Sequence, residues 1–183
     1  MNHRHLSIAA VLLACLSIQS CMSFSEGELK EVRQAITRQV PELALKKEFA
    51  VSVGAGMFHF LDAVTFNEAD LSELDRVRVA VYSVQDRPGV ADKMKHVDME
   101  RSLRESRPGL DWQTFIRVRD EDELVWVLAG MNLDRNSLEE MSVIVWERGE
   151  LVLIDMDGDL EQLMEVAMGP ARQARHREKR EIL

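Results

Sequence analysis

Long apolar runs are missing from this chain beyond its first residues. The N-terminal run, Leu6 to Ile18, has thirteen residues without a charge. As a helix it would span about 20 Å, which is short of the roughly 30 Å hydrocarbon core of a bilayer. No later segment approaches eighteen consecutive apolar residues. The sequence therefore predicts no second membrane span, and at the N-terminus it favours a cleaved signal over an uncleaved anchor helix.

Cysteine is equally scarce. Cys15 and Cys21 are the only two cysteines among 183 residues, and both stand at the end of the apolar run. If the chain is cut before Cys21, the mature protein keeps one cysteine and cannot form an internal disulfide. We therefore expect the fold to be stable without disulfides.

The flanks of the apolar run are those of a secretory signal, with Arg4 before it and small residues after it. Its end, Ile18-Gln19-Ser20-Cys21, resembles a bacterial lipobox. That resemblance implies cleavage before Cys21, lipidation of its thiol and acylation of the new amino group. Cys15 is the competing site, but its use would leave only nine apolar residues, Leu6 to Ala14. We expect Cys21 to be the lipid anchor.

The residue after the lipidated cysteine helps to determine whether a lipoprotein stays in the inner membrane or moves to the outer membrane. An Asp at this position retains lipoproteins of enteric bacteria in the inner membrane, and this chain has Met22. We therefore expect a lipid-anchored protein in the envelope of a Gram-negative bacterium, on the outer membrane and facing the periplasm. The resulting division of the chain is a signal peptide (1–20), a lipidated cysteine with a tether (21–28), one domain (29–170) and a basic tail (171–183).

Composition is that of one ordinary globular domain. Apolar residues make up 46% of the chain and charged residues 30%, and the net charge is −9. An acidic protein is poorly suited to bind nucleic acid, whose phosphates are also negative. We therefore expect no nucleic-acid partner.

Periodicity divides the N-terminal half into helices and strands. The predicted helices are 29–40, 57–66 and 90–105, and the predicted strands are 48–53 and 76–82. In the second strand Val77, Val79 and Val81 alternate with Arg78 and Tyr82. This alternation is typical of a half-buried strand.

The C-terminal half predicts hairpins. Its strands are 112–118, 124–128, 141–146 and 151–154, and a last helix, 160–168, follows the N-cap Asp159. In the first of these strands Trp112, Thr114, Ile116 and Val118 are expected to share one face. Six strands and these helices predict an α+β two-layer sandwich, with a mostly antiparallel sheet and helices on one face. Two smaller sheets are the alternative.

Several segments together resemble a known family. They are the lipobox, VSVGAGMF, LDRVRVAVYSV, WQTFIRVRDEDELVWVL and MSVIVWERGELVLIDMDGDLEQL. They are similar to the bacterial lipoprotein family called domain of unknown function 4252, over about Phe49 to Met168. Because that family carries no assigned activity, the resemblance implies an envelope location and a shared fold, and it implies no site residues.

The sequence contains no complete motif for cofactor binding, metal binding or catalysis. Gly54-x-Gly56 follows a strand, but His59 stands where a dinucleotide fingerprint needs its third glycine. Asp155, Asp157 and Asp159 alternate as calcium ligands do, but Leu160 stands where an EF-hand loop needs glycine. A strand end, a turn and a helix cap explain the same aspartates. We predict no catalytic residue, no metal site and no cofactor.

The basic tail is the remaining candidate contact. Its cations, which an acidic partner or anionic lipid headgroups would attract, are Arg172, Arg175, Arg177, Lys179 and Arg180. A solvated, frayed helix is the alternative. The sequence favours a non-enzymatic envelope lipoprotein that contacts a partner protein through the sheet surface and this tail. The alternatives are a small-ligand or stress-sensing module and an uncharacterised hydrolase.

Overall fold

A computed structural model describes residues 22–58, 74–85, 89–120, 123–147 and 149–160. The strands in these ranges are β1 (Met22–Ser23), β2 (Ala44–Gly54), β3 (Leu74–Gln85), β4 (Asp111–Arg119), β5 (Glu123–Asn132), β6 (Ser137–Glu147) and β7 (Glu150–Gly158). The helices are α1 (Leu29–Gln39), α2 (Val90–Met94) and α3 (Met99–Ser106). Further helical residues begin at Ala55 and at Leu160. Among the described residues, no helix is long and apolar enough to cross a membrane.

All seven strands form one antiparallel sheet in the order β1-β2-β3-β7-β6-β5-β4. The predicted α+β sandwich is therefore confirmed, with six long strands in one sheet. β4 to β7 form a meander of hairpins. β7 then pairs with β3, so the segment that holds α2 and α3 carries the chain from β3 to the far edge of the sheet.

The more deeply buried face of the sheet is not the valine side of β3. Ala80 and Tyr82 are fully buried, and Arg78 is nearly so, whereas Val77 and Val79 are half-buried. The helices cover the first set, which we call the helix face. The valines lie on the opposite, second face. Valine alternation revealed the strand, but it did not reveal which face lies under the helices.

α1 packs on the helix face through residues spaced three and four apart. Leu29, Val32 and Ile36 are buried on one side of α1, as an amphipathic helix requires. They join a core that includes Tyr82 of β3 and Leu153 of β7. The helix ends before Pro41, as predicted.

The single helix predicted over 90–105 is wrong, because the chain forms two helices there. The break lies between Met94 and Met99. Asp98 takes an extended conformation, and its carboxylate accepts a hydrogen bond from the Arg101 N–H, which caps α3. The side-chain amide of Gln39 also binds at this break, since it donates to the Asp98 carbonyl and accepts from the Asp98 N–H.

The predicted face of β4 is also wrong beyond Thr114. The β4–β5 register shifts between Thr114 and Ile116, so a bulge reverses the alternation of the strand. Trp112 lies opposite Gly130 and is buried on the helix face. Ile116 lies opposite Val127 on the second face.

A second, smaller core lies at one end of the second face. Its buried members are Phe58, Leu74, Leu138 and Leu160. Half-buried residues of the second face, including Val77 and Met141, pack against them. The residues that begin the two further helices, near Phe58 and Leu160, therefore contact the sheet on this side.

Candidate functional site

The helix face is apolar at one end and charged at the other. In cross-strand rows, Ala80 lies opposite Leu153, whereas Arg78 lies opposite Asp155 and Arg76 opposite Asp157. Because side chains alternate along a strand, all of these residues point to the same side of the sheet. Charged side chains are thus carried beneath the helix layer.

Asp155 is at the centre of this charged end and is fully buried. Its carboxylate accepts hydrogen bonds from the guanidinium of Arg107 and, at 2.7 Å, from the hydroxyl of Ser142. The Nε of Arg78 lies 4.0 Å from Asp155 Oδ2. Three partners from different segments therefore compensate one buried charge.

Two more carboxylates and the start of α1 complete the group. Arg107 Nη1 lies 2.8 Å from Glu140 Oε2, and Arg78 Nη2 lies 3.3 Å from Asp157 Oδ1. Glu28, at the N-terminus of α1, lies 3.2 Å from the Nη2 of Arg78. We call these six residues the ion cluster: Glu28, Arg78, Arg107, Glu140, Asp155 and Asp157.

Burial is the main influence on the pKa values of Glu140 and Asp157, the two partly exposed carboxylates that we call the rim of the ion cluster. It raises the pKa of Glu140 and that of Asp157, and the neighbouring arginines only partly offset this effect. For Arg107, burial alone would lower the pKa, but Asp155 and Glu140 outweigh it and raise the pKa. With four carboxylates and two guanidinium groups, the ion cluster holds more negative than positive charge.

A polar groove of about 380 Å³ lies elsewhere on the molecule, between the α2–α3 break and β4. Lys95 and His96 form one wall, and Arg117 and Arg119 of β4 form the other. Trp126 of β5 also borders the groove. No local sequence pattern marks this site, because the α2–α3 break and the β4 bulge bring its two walls together.

The far edge of the sheet carries exposed apolar residues. Every residue of β4 from Gln113 to Arg119 is exposed. Phe115, Ile116 and Val118 are 61%, 46% and 47% exposed, and we call these three the β4 strip. Phe115 borders an apolar hollow of about 280 Å³ on the second face, whose other walls include Met131 and Leu138.

Several sequence predictions fall outside the described residues. They include the signal peptide, Cys21, His59, most of the helices 57–66 and 160–168, and the tail cations from Arg172 to Arg180. The start of the domain is described. β1 begins at Met22, directly after Cys21, and Met22 lies opposite Val53 of β2. The segment predicted to be a tether lies along the domain, where Glu26 pairs with Arg33 at 3.5 Å.

The aspartates considered as calcium ligands have other partners. Asp155 and Asp157 lie on the helix face and bind arginines. Among the residues that the structure describes, no group of three or more histidine, cysteine or acidic side chains is arranged to hold a metal ion.

All three tryptophans, Trp112, Trp126 and Trp146, are buried in the larger core. Trp126 additionally borders the polar groove.

Comparison with known proteins adds no relative. A scan against protein-family models and a search of curated proteins both find no match to this chain.

Proposed function

We propose that this protein is a non-enzymatic binding module of the cell envelope, anchored to a membrane through lipidated Cys21. Its β4 edge takes an extended segment of an envelope protein as a further strand. Anchorage on the outer membrane, facing the periplasm, is part of the same proposal and rests on the lipobox resemblance and on Met22.

The observation that carries the binding role is the β4 strip. Ile116 and Val118 lie on one face of the terminal strand, and Phe115 stands beside them at the bulge. No described strand pairs with the outer side of β4. Contiguous exposed apolar side chains mark interaction sites, and a free strand edge supplies backbone hydrogen bonds to an added strand.

The position of β1 supports the anchor. β1 begins one residue after Cys21, so a lipid on Cys21 would be attached directly at the start of the sheet. The pairing of Met22 with Val53 also leaves no spacer between the anchor and the edge of the sheet. A lipidated Cys21 would hold the domain close to the bilayer surface, and its acyl chains would make the attachment stable.

The anchor is tested by cell fractionation and lipid labelling of the wild type and of Cys21→Ala. We expect the wild type to be labelled and to sediment with membranes, and the variant to do neither. If the variant is still labelled, Cys15 and not Cys21 would be the lipidated residue. A soluble, unlabelled wild type would contradict the anchor.

The surface is tested in the same cells with a photocrosslinking amino acid at Val118. We expect one crosslinked species, whose yield falls roughly tenfold when Ile116→Lys places a charge in the contact. A crosslinker at Lys30, which is exposed on α1, is the matched control. An equal yield from Lys30, or no effect of Ile116→Lys, would exclude the β4 strip as the contact.

The small-ligand alternative has one observation in its favour, which is the polar groove. Its charged side chains converge on a defined volume, as those of ligand sites do.

A further inference from the structure

The two arginines of the polar groove are held in place by a shared backbone acceptor. Arg117 and Arg119 each donate a hydrogen bond from Nη2 to the same acceptor, the carbonyl oxygen of Lys95, at 2.8 and 2.7 Å. The guanidinium carbon of Arg117 also lies 5.7 Å from the ring centroid of Trp126. The shared acceptor holds both guanidinium groups at the groove, and stacking on Trp126 further orients that of Arg117.

Neither arginine has an acidic partner in the part of the chain that the structure describes. Among the described residues, no carboxylate oxygen lies within 4.0 Å of Arg117 or Arg119, in contrast to Arg78 and Arg107 of the ion cluster. A guanidinium group has five N–H donors, so the single bond to Lys95 leaves most of them free for a ligand. Two unneutralised cations side by side are unexpected in a chain with a net charge of −9.

The acidic residues of the groove are committed to backbone groups. Asp98 accepts from the Arg101 N–H at 2.9 Å. Glu100 accepts from the Thr114 N–H at 2.9 Å, which ties α3 to β4. Lys95 pairs with Asp92 at 2.9 Å. The groove side chains with the most unused hydrogen-bond donors are therefore the two arginines.

We propose that the polar groove is a binding site for an oxyanion, a phosphate or carboxylate group that Arg117 and Arg119 hold together. Planar guanidinium groups match the oxygens of such anions in a two-point geometry. The volume of about 380 Å³ admits a small molecule or a lipid headgroup attached to the anion. This inference does not depend on the partner proposed for the β4 strip, which lies on the other side of β4.

The test is titration calorimetry on the full lipidated protein in a neutral detergent. The probes are inorganic phosphate, succinate and glycerophosphoglycerol, the water-soluble headgroup of phosphatidylglycerol. We expect saturable binding of at least one probe. The tightest of the three identifies the source as free phosphate, a carboxylate metabolite or a lipid headgroup. If none of them binds, the proposal is overturned.

Variants decide whether the arginines hold the anion. We expect Arg117→Gln and Arg119→Gln each to weaken binding at least about tenfold, which corresponds to about 1.4 kcal/mol. Arg104→Gln, an exposed arginine of α3 that does not border the groove, makes the same change in net charge and should alter the affinity less than about twofold. Equal effects of all three variants would mean general charge attraction and would overturn the site.

A conservative variant covers the case in which the glutamine variants do not fold. Arg117→Lys with Arg119→Lys keeps both charges but loses the two-point geometry. We expect this protein to fold, as judged by its circular dichroism, and to bind the preferred probe several-fold more weakly than the wild type. Unchanged affinity would overturn the two-point contact, because two positive charges without the guanidinium geometry would then be enough.

Discussion

At the scale of single residues, the buried charges are the least expected feature of this protein. The sequence alone predicts Asp155 to be the end of a strand, with a calcium ligand as the alternative. In the structure it is fully buried and binds Arg107, which lies 48 residues away in the chain. A signal for Arg78 did exist in the sequence, because it lies on the same side of β3 as Ala80 and Tyr82. No such local signal marks Arg107.

Asp155→Asn tests how much this residue contributes to the free energy of unfolding. The change removes the charge that compensates two buried arginines, and breaking a buried pair costs about 3–5 kcal/mol. We expect the free energy of unfolding to fall by that amount in urea titrations. Glu105→Gln, which removes an exposed carboxylate paired with Arg38 and Arg101, should have a much smaller effect. Similar losses for both variants would show that the burial of Asp155 does not matter.

At the scale of elements, two local irregularities shape the site. The break between α2 and α3 places the Lys95 carbonyl over β4, and the β4 bulge turns Ile116 and Val118 to the second face. Strand and helix positions were predictable because apolar periodicity extends over several turns or residue pairs. The irregularities were not predictable, since a bulge or a capped break changes the phase at one residue.

Gly130 of β5 shows how closely β4 packs on its neighbour. A Cβ at this position would lie 3.1 Å from Trp112 ring atoms and 3.1 Å from Leu110 Cδ1. We expect Gly130→Ala to destabilise the protein by about 1–3 kcal/mol through overpacking, measured by urea unfolding. In combination with Trp112→Phe, whose smaller ring makes room, the costs should be less than additive. Strict additivity would contradict this contact.

At the scale of the whole molecule, the ion cluster joins the sheet to the helix layer. Glu28 precedes α1 and Arg107 follows α3, while the other members lie on β3, β6 and β7. Because burial raises the pKa of Glu140 and that of Asp157, the stability of the entire domain should respond to pH through these two carboxylates.

Glu140→Gln tests this response. The pKa of Glu140 is raised by burial in the folded state, so its contribution to stability is present below the unfolded pKa and is lost as pH rises through the folded pKa. The unfolding free energy of the wild type minus that of Glu140→Gln should therefore be larger at about pH 4 than at about pH 8.

For Glu105→Gln, we expect the stability difference to change with pH in the opposite direction. Hydrogen bonds from Arg101 and Arg38 lower the pKa of Glu105. Its contribution to stability is therefore lost as pH falls through the folded pKa, and the corresponding difference should be smaller at about pH 4. If the difference in unfolding free energy changed with pH in the same way for both variants, burial would not raise the pKa of Glu140.

The sequence by itself determined the kinds of element, the α+β class and the expectation of a lipid anchor at Cys21. These follow from local patterns, namely alternation along strands, three- and four-residue spacing along α1, and a short apolar run that ends in cysteine. Only the tertiary structure decided that β3 pairs with β7, which face lies under the helices, and that Arg78 and Arg107 meet at Asp155. The physical reason is that strand register and helix placement depend on contacts between distant segments, which no local pattern encodes.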